Sequence, residues 1–575
     1  MCGIAGIVGS GADRDLVSRM TERLRHRGPD DGDVWSAPGV ALGHRRLSIL
    51  DLSSAGHQPM TFGEFTIVFN GEIYNFAELR RGLTGPFSSN SDTEVLLKLY
   101  ARDGAGCVDR LQGMFAFAIW NARTKTLFAA RDRVGIKPLL TCPYKDGLAF
   151  ASELKAFREL GPFSTDSAAL ADYFTYKYIP APRTIYSGIS KVPPAHTLTF
   201  EGGRVTLRRY WSPSTEVRRT EARAAAEELE ALLHDCIQSH TVSDVPVGVF
   251  LSGGVDSTAI VSHLKRPKTF SIGFDIEKHS ELPAARATAD HFSTDHHEEI
   301  VSFGSLQEAL DATPRMFDEP FGDSSGWATH VVSRVARANV KVALSGEGGD
   351  ETFSGYGWYG KWLKLNGSRS SKLAAVLPAF SSIGRSFQKR APDGLDRYAA
   401  LIGLFSPAQQ KSLLAPELVS QNPDPFWHFR AHWRPELDPV KRMQWLDLHT
   451  YLPDDLLVKA DRASMAVALE VRPPLLDHRL VEFSLSLDSS LLRCGEKGKL
   501  LLRRVLEGKV PKDVLTRPKK GFSMPVRRWL EKEPQALDAA LKRLAKAGVI
   551  RSAKRRRFDG EQSWSLLVLD RWMHP

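Results

Sequence analysis

In the first third of the chain, apolar residues fall into short runs, some alternating with polar positions and some continuous. The clearest are Val40–Ile49, Phe65–Phe69, Ala116–Trp120, Thr126–Ala130 and Leu148–Ala151. Runs of this length, separated by glycine-containing turns, predict β-strands. Helical spacing is confined to Asp15–Arg25, Phe76–Leu83 and Thr93–Arg102, the last opened by Asp92-Thr93, a good helix start. The segment up to Trp211 is therefore expected to be sheet-rich. Trp211–Arg223 is polar, carries a proline and has no period, so a linker is predicted there, between domains at 1–211 and 224–575.

Beyond the linker the pattern changes. Ala224–Ser239 reads as an amphipathic helix with Leu229, Leu232, Leu233, Cys236 and Ile237 on one face. Val245–Leu251 is a buried-strand pattern that runs into Ser252-Gly253-Gly254-Val255-Asp256-Ser257 and an apolar helix over Thr258–Leu264. Lys268–Phe274 and Val340–Leu344 read as two more strands, and strands alternating with helices predict a doubly wound parallel sheet.

Length and composition add bounds. At 575 residues two domains are the natural expectation, and 42% hydrophobic with 25% charged residues describes a globular chain. No apolar run approaches the ~18 residues of a membrane span. The start lacks the basic and apolar regions of a signal peptide, and with them any lipoprotein anchor. The five cysteines (Cys2, Cys107, Cys142, Cys236, Cys494) show neither metal-ligand spacing nor a framework of pairs, which fits a reducing cytoplasm. A net charge of +10 and Lys554-Arg555-Arg556-Arg557 suggest nucleic acid only superficially, because the excess is spread along the chain without interleaved aromatics. Neither a nucleic acid nor a membrane is expected as a partner.

Candidate chemistry begins at Met1-Cys2-Gly3. Removal of Met1 would leave a terminal cysteine, whose thiol can attack a carbonyl carbon while its own α-amine relays the proton. Four polar islands follow among the strands: Arg45-Arg46-Leu47-Ser48-Ile49, His57-Gln58-Pro59-Met60, Asn70-Gly71-Glu72-Ile73-Tyr74-Asn75 and Ser91-Asp92-Thr93-Glu94. Taken alone, Asn70-Gly71 would also suit a hairpin turn and Arg46 a surface position. Together with Cys2 and Arg131-Asp132-Arg133-Val134-Gly135-Ile136-Lys137-Pro138, they resemble the class II glutamine amidotransferase domain. That resemblance implies an N-terminal-nucleophile αββα sandwich that hydrolyses glutamine. It assigns Cys2 as nucleophile, with the Asn70 side chain and the Gly71 N–H as oxyanion donors. Arg46 through Leu47, Ser48, Ile49 and Leu50, together with Glu72 and Asp92, would bind the substrate. A guanidinium suits the α-carboxylate and carboxylates suit the α-ammonium.

The Ser252–Ser257 loop lacks the Walker pattern and resembles the pyrophosphate loop of ATP-pyrophosphatases. Ser345-Gly346-Glu347-Gly348-Gly349-Asp350-Glu351 ends a later strand. Tyr451–Met465, Leu469–Arg479, Lys497–Arg503 and Lys519–Pro525 resemble the asparagine synthetase family. By that resemblance the second half is an ATP-dependent, doubly wound domain with a helical C-terminal part. Leu251, Ser252, Gly253, Gly254, Asp256, Ser257, Ile272, Ser345 and Gly346 would hold ATP, and Asp256 and Asp350 would hold Mg²⁺. Glu347 would serve formation of an acyl-adenylate, and Lys499 would neutralise departing pyrophosphate. Aspartate is the default acceptor and a homodimer is common in the family. Three departures leave room for a larger carboxylate, such as a sugar uronate or a natural-product acid: the aromatics of Ser354–Tyr359, Arg472-Pro473-Pro474-Leu475, and an arginine-rich C-terminal end. The last forty-odd residues suggest no function.

Overall fold

The computed structural model describes residues 2–274, 281–301, 305–366, 394–517, 524, 526–554 and 557–575. The first part is built from β1 (Gly3–Val8), β2 (Asp31–Ala37), β3 (Val40–Arg46), β4 (Met60–Phe62), β5 (Phe65–Ile73) and β6 (Gly113–Asn121). It continues with β7 (Thr126–Arg131), β8 (Leu140–Tyr144), β9 (Gly147–Ala151), β10 (Ser190–Lys191), β11 (His196–Glu201) and β12 (Arg204–Arg209). These form two six-stranded antiparallel sheets, ordered β10-β8-β9-β1-β3-β2 and β12-β11-β7-β6-β5-β4.

The strand patterns follow from burial on both faces. In β1, Ile4 and Val8 face the second sheet, packing with Val68, Ala116 and Trp120. Ala5 and Ile7 face outward, where Leu16, Val17 and Met20 of the helix Arg14–Glu22 cover them. β6 divides likewise: Ala116 and Ala118 point between the sheets, while Phe115 and Phe117 pack beneath the helix Asp92–Asp103. The result is helix, sheet, sheet, helix, the sandwich expected from the sequence. β1 itself was not foreseen: Gly3 and Gly6 interrupt its short apolar run.

Two sequence signals find structural explanations. Asn70-Gly71 is not a turn: both lie inside β5, opposite Ala116 and Phe115 of β6. A Cβ at Gly71 would come within 2.2 Å of the Met114 carbonyl oxygen, so only glycine fits. In the Arg131–Pro138 motif, Asp132 accepts from the N–H groups of Gly135, Ile136 and Lys137 at 2.7, 2.8 and 2.8 Å, which builds the turn after β7.

After β12, residues 210–221 carry no helix or strand, and the helix Ala222–Ser239 then buries Leu229, Leu233, Cys236 and Ile237, with Leu232 partly covered. The second sheet system comprises β13 (Val247–Phe250), β14 (Lys268–Phe274), β15 (Asp295–Val301), β16 (Val342–Leu344) and β17 (Glu470–Arg472). All pairings are parallel, in the order β15-β14-β13-β16-β17. The chain runs outward from β13 to β15 and returns to the other side at β16, so the order reverses between β13 and β16. Ligands of open parallel sheets bind at such a crevice. β15, a polar edge strand, and the very short β17 escaped the sequence pattern.

The remainder is helical and closes against the first part. Trp564 and Leu566 of the helix Gly560–Met573 share a core with Leu154 and Tyr173. Buried ion pairs cross the same boundary. Arg27 donates to Asp461 at 2.8 and 3.0 Å and to Glu153 at 2.6 Å, while its Nε holds the Cys2 carbonyl at 2.9 Å. Removing one partner of such a pair would strand the other charges out of water. The Lys519–Pro525 motif lies, apart from Met524, outside the described residues, as do Arg555 and Arg556.

Candidate active sites

The first site lies where β1, β3 and β5 meet. Cys2 is buried, and its backbone N–H donates to Asn70 Oδ1 at 3.0 Å. That bond fixes which way the Asn70 amide faces, because only its oxygen can accept. Asn70 Nδ2, fully buried and without a partner among the described residues, is thereby left as a free donor beside the cysteine. Burial pushes the Cys2 thiol up, against the pull of the Leu47 backbone and the Arg46 guanidinium, so a base must take its proton as it attacks.

Cys2, Arg46, Leu47, Ile49, Leu50, Gly71, Glu72 and Asp92 line one pocket of about 30 Å³, together with Gln58 and Glu470. That is room for about two waters, so a free amino acid enters only if the walls part. The Arg46 fork is committed to the chain itself, with Nη1 on the Ser53 carbonyl at 3.1 Å and Nη2 on those of Leu50, also 3.1 Å, and Asp51. Bidentate capture of a carboxylate requires that loop to release it. Ser48 is off the pocket wall, its N–H held by Asp30 at 2.9 Å. Glu72 and Asp92 are brought together as expected. Asp92 accepts the Ile73 N–H at 2.9 Å, yet burial still raises its pKa to about 6. If Asp92 receives the substrate's ammonium, only its charged form binds well. The kcat/KM for glutamine is therefore expected to fall as pH drops through about 6, and Asp92→Asn to remove that limb; a flat profile would exclude the role.

The second site is the crevice between β13 and β16, a cavity of about 1300 Å³. Leu251, Ser252, Asp256, Ser257, Ile272, Ser345, Gly346, Glu347 and Asp350 all reach its wall. Gly253 and Gly254 shape the loop from behind. Gly253 sits at φ +69, with Ala284 where a Cβ would be, and the Gly254 N–H donates to Ser252 Oγ at 3.3 Å. A Cβ at Gly349 would meet Asp256 Oδ1 at 2.5 Å, which is how the two loops approach so closely. Lys499 lies just behind the wall, its Nζ 2.5 Å from Asp256 and 2.8 Å from Asp350. Both carboxylates therefore face one small cation. Asp256 Oδ1 is buried without a hydrogen-bond partner among the described residues. Two hard oxygen donors beside a phosphate-type loop fit Mg²⁺, which takes one or two carboxylates and completes its shell with phosphate and water.

The same cavity wall holds residues the sequence reading missed or left without a role. Lys177, from the first part of the chain, stands 3.4 Å from Asp455 and 3.9 Å from Asp323, and Lys459 is 3.7 Å from Asp323. Burial opposes the Lys177 charge, but Asp323 and Asp455 more than restore it and lift its pKa above the ordinary range. Glu561, at the start of the C-terminal helix, accepts from Ser324 Oγ at 2.9 Å and reaches the same wall. Lys459 stood in a quoted motif, whereas nothing in the local sequence singles out Lys177 or Glu561. Among the aromatics that departed from the family pattern, Tyr356 and Trp358 line the cavity, stacked at 3.6 Å. Tyr359 is core, hydrogen-bonded to Asp447 at 2.6 Å.

A sandwich presenting a buried cysteine at the second residue, joined to a parallel sheet with two glycine-rich loops at its reversal point, defines a two-site amidotransferase-synthetase architecture. The chain belongs to the asparagine synthase family: residues 228–574 match that family and residues 1–211 match the glutamine amidotransferase domain. It is 35% identical over 563 residues to asparagine synthetase (glutamine-hydrolyzing) 1 of Bacillus subtilis, covering 93% of this chain and 88% of that protein. Asparagine synthetase (glutamine-hydrolyzing) 3 of the same organism is 32% identical over 557 residues, covering 91% and 87%. A solved Bacillus subtilis glutamine phosphoribosylpyrophosphate amidotransferase covers 52% of this chain and 65% of its own at 18% identity and a TM-score of 0.30, a likeness too distant to carry an inference.

Proposed function

We propose that the protein is a glutamine-dependent asparagine synthetase. Glutamine, ATP, aspartate and water would become glutamate, asparagine, AMP and pyrophosphate. The observation that carries this reading is the pairing, in one chain, of the Cys2 pocket with the crevice formed by Ser252–Ser257 and Ser345–Asp350.

In the first pocket the Cys2 thiol attacks the side-chain amide of glutamine, its proton passing to the α-amine freed by loss of Met1. Asn70 Nδ2 and the Gly71 N–H receive the oxyanion, ammonia leaves, and water hydrolyses the remaining Cys2 thioester to glutamate. Such donors are worth about 2.7–4 kcal/mol each. Glu72 and Asp92 hold the α-ammonium and Arg46 the α-carboxylate. In the crevice ATP is a substrate. The serines of the first loop cradle its phosphates, the backbone around Leu251, Ile272, Ser345 and Gly346 takes the adenosine, and Asp256 with Asp350 would hold Mg²⁺, which supplies charge neutralisation when bound. The aspartate side-chain carboxylate attacks the α-phosphate near Glu347, with Lys499 close to the departing pyrophosphate. The ammonia from the first pocket then attacks the acyl-adenylate and displaces AMP. Lys177 and Lys459 suit the acceptor's α-carboxylate, and Asp323 and Glu561 its α-ammonium. We place the enzyme in the cytoplasm, as a homodimer, on family resemblance; no helix among the described residues is long and apolar enough to cross a membrane.

A second reading keeps the chemistry and changes the acceptor to a larger carboxylate. The volume of the cavity and the stacked Tyr356 and Trp358 on its wall favour it. The deciding experiment measures AMP and asparagine from Mg-ATP and glutamine, with and without aspartate. Aspartate-dependent AMP release matched by asparagine establishes the first reading. Glutaminase activity with no aspartate-dependent AMP overturns it in favour of the second, with uronates tested next.

A further inference from the structure

The two sites share one short strand. β17 pairs in parallel with β16 at the edge of the sheet, yet its residues serve both pockets. Glu470 lies on the wall of the Cys2 pocket, and Val471 on that of the nucleotide cavity. The Arg472 carbonyl accepts the Ser345 N–H at 2.9 Å and so holds the first residue of the acidic loop.

The Arg472 side chain turns toward the other site. Nη2 donates to Glu72 at 2.9 Å, Nε to Glu470 at 2.6 Å, and Nη1 to the carbonyls of His240 and Val242 at 2.8 and 2.7 Å. All three nitrogens are engaged and the side chain is fully buried. This guanidinium is a single charge set between two buried carboxylates. The N-terminal charge, and after it Arg472, hold Glu470 at about 2 despite burial, whereas burial lifts Glu72 well above the usual range in spite of Arg472. Glu72 Oε1 has no hydrogen-bond partner among the described residues. Arg472 engages Oε2 alone, which leaves Oε1 for an incoming α-ammonium.

We propose that Arg472 is a positioning residue that holds Glu72 for the α-ammonium of glutamine and makes the grip on glutamine depend on the Ser345–Asp350 loop. The inference rests on the glutaminase reading of the Cys2 pocket and adds to it a physical link between the sites. A shift of Ser345 on nucleotide binding pulls the Arg472 backbone through one hydrogen bond, and the rigid fork carries that shift to Glu72. Because coupling in binding is reciprocal, glutamine in turn strengthens binding at the nucleotide site.

The test uses the full chain and follows glutamate release against glutamine concentration, with and without Mg-ATP plus aspartate. In the wild type the ligands are expected to lower the KM for glutamine by about fivefold or more, the lower end of ordinary coupling. Arg472→Lys keeps the charge and the backbone carbonyl but loses the fork. It is expected to raise the KM about tenfold, to abolish its response to the ligands, and to leave ammonia-dependent AMP release within about threefold. A merely structural role would lower all activities and keep the ratio of KM values. An Arg472→Lys enzyme with the wild-type ratio, or a wild type whose KM ignores the ligands, overturns the proposal. If Arg472→Lys does not fold, Glu470→Gln, which loosens the Nε anchor, is read the same way. Glutamate release that survives Cys2→Ala would instead remove the glutaminase reading itself, and the proposal with it.

Discussion

Cys2→Ala is expected to abolish glutamine-dependent product formation, by about 10³-fold or more, and to leave ammonia-dependent synthesis within about threefold of the unaltered enzyme. The first half follows from the pocket. Cys2 is the one thiol on that wall, where the Ser91 and Thr93 hydroxyls are tied to Ser89 and Gln58, and alanine leaves Asn70 Nδ2 with no oxyanion to receive. The second half follows from the fold. Cys2 sits between the sheets of the sandwich, whereas the groups assigned to adenylation stand at the ends of β13 and β16. Free ammonia added in excess reaches the second site without the first. Cys2→Ser separates the nucleophile from its packing, since the smaller, harder oxygen keeps the volume nearly unchanged but is the poorer nucleophile without further activation. It is expected to retain the fold and ammonia-dependent turnover with little glutaminase activity. Parallel loss of both activities in Cys2→Ala would mean that the two centres are not independent, and the division of labour would have to be abandoned.

Much of this was legible in the sequence, and the parts that were not share a physical cause. β5 and β7 are buried on both faces and were legible as short apolar runs bounded by turn residues, and loops that need glycine or a fixed carboxylate leave short motifs. Ser252–Ser257 and Ser345–Asp350 were readable for that reason, although their proximity depends on the β13–β16 reversal, which no local pattern encodes. Arg46 shows what residue type alone leaves out. Its residue type suits a carboxylate, but the structure commits its nitrogens to carbonyls of Leu50, Asp51 and Ser53. Glu470 and Arg472 stood in a recognised motif, yet their role emerges only when β17 is seen to touch both pockets. Lys177 and Glu561 lie far apart in the chain, and convergence of that kind has no sequence signature.

The adenylating half gives the other large effect. Lys499→Met is expected to lower AMP and pyrophosphate release by about 10²–10³-fold, the usual cost of losing one group aimed at developing charge, with glutamate release from glutamine kept within about threefold. Lys499 Nζ is 2.5 Å from Asp256 and 2.8 Å from Asp350, so methionine leaves two carboxylates facing each other without their cation. Arginine does not rescue the change. A Cβ placed on Gly355 would already lie within 2.1 Å of Lys499 Cε, which shows how closely the backbone encloses the lysine stem and how little room a guanidinium would have. Two accounts of the lysine remain, and magnesium separates them. If Lys499 acts only by keeping Asp256 and Asp350 together, a raised Mg²⁺ concentration takes over its charge and restores most of the rate. If it swings to the departing pyrophosphate, as its place behind the phosphate loop suggests, added Mg²⁺ restores binding of ATP but not turnover. The expected result is the second: a KM for ATP that recovers with Mg²⁺ while kcat does not. Recovery of both would reduce Lys499 to a tether for the two carboxylates.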